Sequence, residues 1–134
     1  LSLITLDKWA VLVVDDERDN RQLLTDVLDF FGAQVTAVSS GREAMQAVEE
    51  NAFRLVLLDI QMPLVDGLDV IQFIRGSDDP HIKHLMVVAV TAEAMPGDRE
   101  RILAKGFDGY VAKPLDALSF ANVITEIVEN KEKM

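Results

Sequence analysis

Three carboxylates, a hydroxyl and an amine stand at the ends of short apolar runs in this 134-residue chain. Asp15-Asp16 follows VLVV, Asp59 follows LVLL, Thr91 follows LMVVAV, and Lys113, with Pro114 behind it, follows GYVA. Taken singly each is ordinary, since an acidic pair after a strand is most often a solvated turn or a helix cap. Gathered on one edge they would form a site. Carboxylates a few ångströms apart repel, and without a cation at least one pKa must rise. An oxygen-only cluster with room for water suits Mg²⁺, which keeps part of its hydration shell. Lys113 would compete with a metal for the same carboxylates, so it makes sense only if a further anion arrives. A phosphoryl group on one carboxylate would present oxygens to the metal, to the Lys113 ammonium, and to a hydroxyl or N–H donor such as Thr91.

These residues meet only if the apolar runs are strands of one sheet. Short β-branched runs alternate with amphipathic stretches, and the spacing predicts strands over Ala10–Val14, Gln34–Val38, Leu55–Leu58, Leu85–Val90 and Gly109–Ala112. Three of them are apolar throughout, as parallel strands covered on both faces are. Leu23, Leu24, Val27, Leu28 and Phe31 recur at helical spacing and stop at Gly32. A second helix opens with the capping-box pattern Ser40-Gly-Arg-Glu43. Leu68, Ile71 and Ile74 mark a third helix ending at Gly76, a fourth is expected from about Pro96 to Gly106, and the last begins near Asp116. Strict β-α alternation with right-handed crossovers predicts an α/β fold: a doubly wound, five-stranded parallel sheet of order 2-1-3-4-5 in a flavodoxin-like three-layer sandwich. The crevice of such a sheet lies at the carboxyl ends of strands 1 and 3, where the winding reverses. A single domain over residues 1–134 is expected, with its core over about 9–130 and tails at 1–8 and 130–134.

Composition removes other classes of function. With 49% hydrophobic residues the chain can fill a core. The absence of cysteine excludes disulfides, thiolate metal sites and a cysteine nucleophile. A formal charge of −10 argues against nucleic acid or anionic lipid as a direct partner. No run reaches the length of a membrane span, and residues 1–9 lack the features of a secretory signal. Leu1, standing where Met would begin a chain, is compatible with a piece cut from a longer polypeptide.

The ordered set Asp15-Asp16, Asp59-Ile60-Gln61-Met62-Pro63 with Asp66-Gly67, Thr91-Ala92, and Gly109-Tyr110 with Lys113-Pro114 resembles the receiver domain of two-component response regulators of the chemotaxis-regulator kind. The resemblance implies phosphorelay signalling. Asp59 would accept a phosphoryl group from the phosphohistidine of a histidine kinase or histidine phosphotransfer protein. Mg²⁺ would be held by Asp16, Asp59 and the Gln61 backbone carbonyl, with Asp15 acting through water. Lys113 and Thr91 would bind phosphoryl oxygens, the Ala92 N–H could add a donor, and a cis peptide would precede Pro114. Thr91 and Tyr110 would form a switch acting on the face of the fourth helix, fifth strand and fifth helix. Tyr110 reads equally well as a strand aromatic packed on the fourth helix. Gln61 and Glu93 would tune how long the phosphoryl group survives, while Pro63, Asp66 and Gly67 shape the loop. The implied protein is cytoplasmic and regulatory, not an enzyme, though it assists its own phosphorylation and dephosphorylation. It would signal to a downstream effector or an attached output domain, and a homodimer is compatible with the resemblance.

Some features depart from familiar members. Ile60 stands where some receivers have a Trp, so the only tryptophan is Trp9, before strand 1, and its emission should respond weakly to Mg²⁺. Pro96-Gly97 would loosen or delay the fourth helix. His81 and His84, beside Asp78 and Asp79, read as a solvated loop and not as a metal site or a phosphodonor. A flavin-binding electron carrier would share the sheet order, but Asp-Asp-Glu-Arg-Asp in its first loop would repel a phosphate. A phosphatase of the haloacid dehalogenase type needs a second acid two residues beyond its nucleophile, where this chain has Gln61. A degenerate receiver used only for binding is opposed by the intact Asp16, Asp59, Thr91 and Lys113.

Overall fold

The computed structural model describes residues 6–92 and 95–132. In chain order it contains β1 (Ala10–Val14), α1 (Arg18–Phe30), β2 (Gln34–Val38), α2 (Gly41–Glu50), β3 (Leu55–Asp59), α3 (Gly67–Arg75), α4 (Pro80–Lys83), β4 (Met86–Thr91), α5 (Asp98–Ala104), β5 (Gly109–Ala112) and α6 (Ala117–Glu132). All strand pairs are parallel and the sheet order is β2-β1-β3-β4-β5. This is the doubly wound α/β sheet expected from the sequence.

Alternation along each strand divides the core into two layers, because successive side chains point to opposite faces. Leu12, Val14, Val56, Leu58, Val87 and Ala89 pack with residues of α2, α3 and α5 such as Val48, Ile71, Ile74 and Ile102. Val11, Val13, Leu55, Leu57, Val88 and Val90 pack with Leu24 and Leu28 of α1 and with Phe120, Ile124 and Val128 of α6. The runs in β1, β3 and β4 are apolar throughout because both of their faces are covered.

The structure differs from the sequence reading in several places. The His81 region is not a loop: Pro80–Lys83 is one helical turn, started by Pro80 and capped by the Asp79 carboxylate, which accepts from the His81 N–H at 2.9 Å. The His81 ring reaches back, with Nε2 3.0 Å from the Phe53 carbonyl oxygen. The fourth expected helix, here α5, begins at Asp98 and not at Pro96, because Gly97 adopts a left-handed φ of 93° before it. The ends expected to be tails are partly built in. Leu6 is fully buried, its N–H donates to the Phe31 carbonyl, and the Lys8 N–H donates to that of Gly32. At the other end α6 continues through residues 130–132.

Arg75, which the sequence reading did not single out, joins four segments at the amino-terminal edge of β4 and β5. Its guanidinium donates to the carbonyls of Gly106 (2.9 Å), Lys83 (2.8 Å) and Leu85 (2.7 Å) and pairs with Asp108 at 3.1 Å. Asp108 in turn accepts from the Val87 N–H at 2.8 Å.

Candidate functional site

Parallel register aligns the carboxyl ends of the strands. Val14 pairs with both Val38 and Leu58, Asp59 with Val90, and Thr91 with Ala112. Asp15 therefore emerges beside Asp59, with Thr91 and Lys113 on the next two strands. Asp15, Asp59 and Thr91 are fully buried, whereas Asp16 is exposed. One carboxylate oxygen from each of Asp15, Asp16 and Asp59 lies within 4.8 Å of the others. Lys113 Nζ stands 3.1 Å from Asp59 Oδ2, 3.8 Å from Asp15 Oδ2 and 4.0 Å from Glu17 Oε1. The Lys113–Pro114 peptide is cis, and the Lys113 N–H donates to the Thr91 carbonyl at 2.8 Å.

The two buried carboxylates are held alike. Asp15 Oδ1 accepts the Glu17 N–H at 2.9 Å, and Asp59 Oδ1 accepts the Gln61 N–H at 3.0 Å. Each local turn uses one oxygen of its aspartate. The other oxygen, Oδ2 in both, is buried without a hydrogen bond. A buried anionic oxygen without a hydrogen bond is costly, and two of them beside a third carboxylate fit a hard divalent cation such as Mg²⁺.

The electrostatics follow from the same geometry. Burial, and then the charge of Asp15, push the Asp59 carboxyl up to about 6 against the pull of Lys113. Burial also raises Asp15, opposed by the Glu17 N–H and by Lys113. Burial alone would lower Lys113, but its close ion pair with Asp59 and the charge of Asp15 outweigh that and raise it. Lys113 is accordingly a cation at neutral pH, facing a surplus of carboxylate.

The loop after β3 is shaped by a capping box in which the Asp66 carboxylate accepts the Asp69 N–H at 2.9 Å and the Asp69 carboxylate accepts the Asp66 N–H at 3.1 Å. Tyr110 is half-buried on β5, packed against the layer under α2, α3 and α5, and lines a groove of about 600 Å³ together with Arg99, Val123 and Ile127. Glu93 lies outside the described residues. Two neighbours of the site were missed in the sequence reading, Glu17 beside Lys113 and Arg21, whose guanidinium donates to the Asp15 carbonyl at 2.9 Å. The available signal was their position in the first turn after the acidic pair.

Trp9 is buried before β1, with the Arg54 guanidinium 3.8 Å above its ring, at the opposite end of the strand from Asp15. With the five strand residues between them, six steps of rise put it roughly 20 Å away. Titration with Mg²⁺ is therefore expected to leave Trp9 emission nearly unchanged in intensity and wavelength. Quenching by a third or more would mean that the cation binds or acts elsewhere.

Residues 11–125 match the family profile of the response regulator receiver domain. The chain belongs to that family. This receiver domain is 37% identical over 115 residues to the polar-differentiation response regulator DivK of Brucella ovis, covering 86% of this chain and 92% of that protein. Its fold matches the receiver domain of a sensor histidine kinase of Pseudomonas aeruginosa PAO1, solved with a magnesium ion coordinated in its active-site cleft (TM-score 0.78, 27% identity, 91% of this chain and 98% of that one). It also matches the chemotaxis response regulator CheY4 of Vibrio cholerae (TM-score 0.82, 24% identity, 90% and 98% of the two chains), a likeness of fold. Receiver domains are regulatory phosphoacceptor domains of two-component phosphorelays, interact with histidine kinases and effectors, and bind Mg²⁺ in the acidic pocket. Among the described residues, no helix is long and apolar enough to cross a membrane.

Proposed function

We propose that Asp59 is the phosphoacceptor of this receiver domain and that the transfer depends on Mg²⁺. The observation that carries this reading is Asp59 Oδ2 itself, buried, without a hydrogen bond, and 3.1 Å from a lysine ammonium. Asp59 Oδ2 attacks the phosphorus of a phosphohistidine on a histidine kinase or phosphotransfer protein. The P–N bond breaks, the imidazole keeps its electron pair, and an acyl phosphate forms on Asp59. Asp16, Asp59 and the Gln61 backbone carbonyl would hold the cation, with Asp15 acting through water. A bound Mg²⁺ would supply the positive charge that offsets repulsion between carboxylate and phosphoryl group. Lys113 pairs with one phosphoryl oxygen, and the Thr91 hydroxyl donates to another.

The response runs through Thr91 and Tyr110. Movement of Thr91 toward the phosphoryl group frees space for Tyr110 to rotate inward, changing the surface of α5, β5 and α6 that an effector or an attached output domain meets. Gln61 and Glu93 set the lifetime of the acyl phosphate. The whole chain acts as one cytoplasmic receiver unit.

The test is incubation with phosphoramidate followed by intact-mass measurement. With Mg²⁺ the protein is expected to gain the mass of one phosphoryl group, and with chelator none. Equal uptake in both conditions would overturn the metal dependence.

A further inference from the structure

The peptide joining Asp15 to Asp16 is planar, so its orientation couples ψ of the first residue to φ of the second and with them the directions in which the two side chains leave the backbone. Two contacts hold the turn it begins. One is the Glu17 N–H on Asp15 Oδ1, which occupies a carboxylate oxygen of the pocket itself. The other leaves the carboxylates alone: Arg21, half-buried one turn into α1, donates from Nη1 to the Asp15 carbonyl oxygen at 2.9 Å. The cap residue Glu17 makes no side-chain bond to the helix start, and the Arg21 contact ties α1 to the acidic turn. Arg21 also stands near Glu43 at the start of α2, whose carboxyl is held below its ordinary value by the hydroxyls of Ser39 and Ser40 and, more weakly, by Arg21.

We infer that Arg21 is a positioning residue for cation binding, clamping the Asp15–Asp16 peptide so that the carboxylates of both residues face the pocket. The inference rests on the reading of the acidic pocket as a Mg²⁺ site. Its physical interest is that position and charge act in opposite directions. As a cation near three carboxylates, Arg21 would weaken Mg²⁺ binding by repulsion, and its removal would tighten it. As a clamp it strengthens binding, and its removal would loosen it.

The deciding experiment is calorimetric titration of the full chain with Mg²⁺ at fixed ionic strength, comparing wild type, Arg21→Met and Arg21→Ala below their melting temperatures. Arg21→Met keeps the apolar stem and removes both donor and charge. Loss of a partner that orients metal ligands costs about ten-fold or more in affinity, so both variants are expected to bind about ten-fold more weakly. A second readout is the rise in melting temperature on adding Mg²⁺, with each variant as its own reference, and this rise should shrink in both. Affinity equal to or tighter than wild type in Arg21→Met would overturn the clamp and leave Arg21 as a surrounding charge or a packing residue. Failure of the wild type itself to bind Mg²⁺ would be a different result, sinking the reading of the pocket.

Discussion

In chelator near neutral pH, Asp59→Asn is expected to unfold at a higher temperature than the wild type while taking up no phosphoryl group in Mg²⁺. Both effects come from one buried oxygen. The Asp59 carboxyl is raised from 3.8 to about 6 by burial and by Asp15, so the folded state holds its proton where the unfolded chain has released it. Between about pH 4 and pH 6 the unfolded state therefore binds fewer protons than the folded one, and wild-type stability falls as pH rises through that window. Above it the full cost is present, about 3 kcal/mol for a rise of this size. That is a ceiling, because asparagine also takes from Lys113 its nearest anion, 3.1 Å away. The advantage of the variant should be near zero at the acid end of the window and greatest at neutrality. Thermal melts at several pH values in chelator, with Mg²⁺ restored in a parallel series, measure it. A variant that melts below the wild type at neutral pH, or an advantage that does not grow with pH, would remove the crowded pocket from the account.

Gly67→Ala is expected to destabilise the protein by about 3 kcal/mol and to slow phosphoryl uptake with it. A Cβ at this first position of α3 would lie 2.6 Å from the Asp59 carbonyl oxygen and 2.6 Å from Ile60 Cα. Both are backbone atoms of the segment that presents Asp59, so no side chain can turn aside to make room. The Gly67 N–H also donates to the Ile60 carbonyl at 2.9 Å, which holds the close approach in place. Gly97→Ala is the informative contrast. Nothing lies within 4 Å of its added Cβ, and its cost is that of a left-handed backbone alone, about 1 kcal/mol. Urea midpoints for the two variants should therefore separate clearly. A Gly67→Ala midpoint equal to that of Gly97→Ala would show that the loop after β3 yields to the methyl group.

The sheet and the acidic end of the site were readable in the sequence because each depends on local pattern. VLVV, LVLL and LMVVAV can be apolar throughout only if both faces are covered, and strict alternation with helices then leaves little choice of topology. Once the strands are parallel and side by side, whatever follows their carboxyl ends must converge. Asp15, Asp59, Thr91 and Lys113 were placed together on that ground alone. The two differences in helix position have local causes as well. PHIK contains one buried apolar residue, Ile82, and a single turn shows no periodicity. The start of α5 was shifted by the left-handed Gly97, whose effect on the helix start the sequence only suggested.

What the sequence by itself determined was which residues could meet and in what chemical class: oxygen ligands for a hard cation, one lysine for an anion, and a parallel sheet to bring them to one edge. Tertiary structure alone decided how they meet. It selected Oδ2 of Asp15 and Asp59 as the oxygens facing the pocket, placed Lys113 nearer Asp59 than Asp15, and left Asp16 in solvent. It also supplied a support that no local pattern announces, Arg75 reaching Gly106 and Asp108 across more than thirty residues of chain. The reason is range. Periodicity records what each residue buries against its own layer, whereas a side-chain bond to a distant carbonyl leaves neighbouring residues unchanged and so writes nothing into the local sequence.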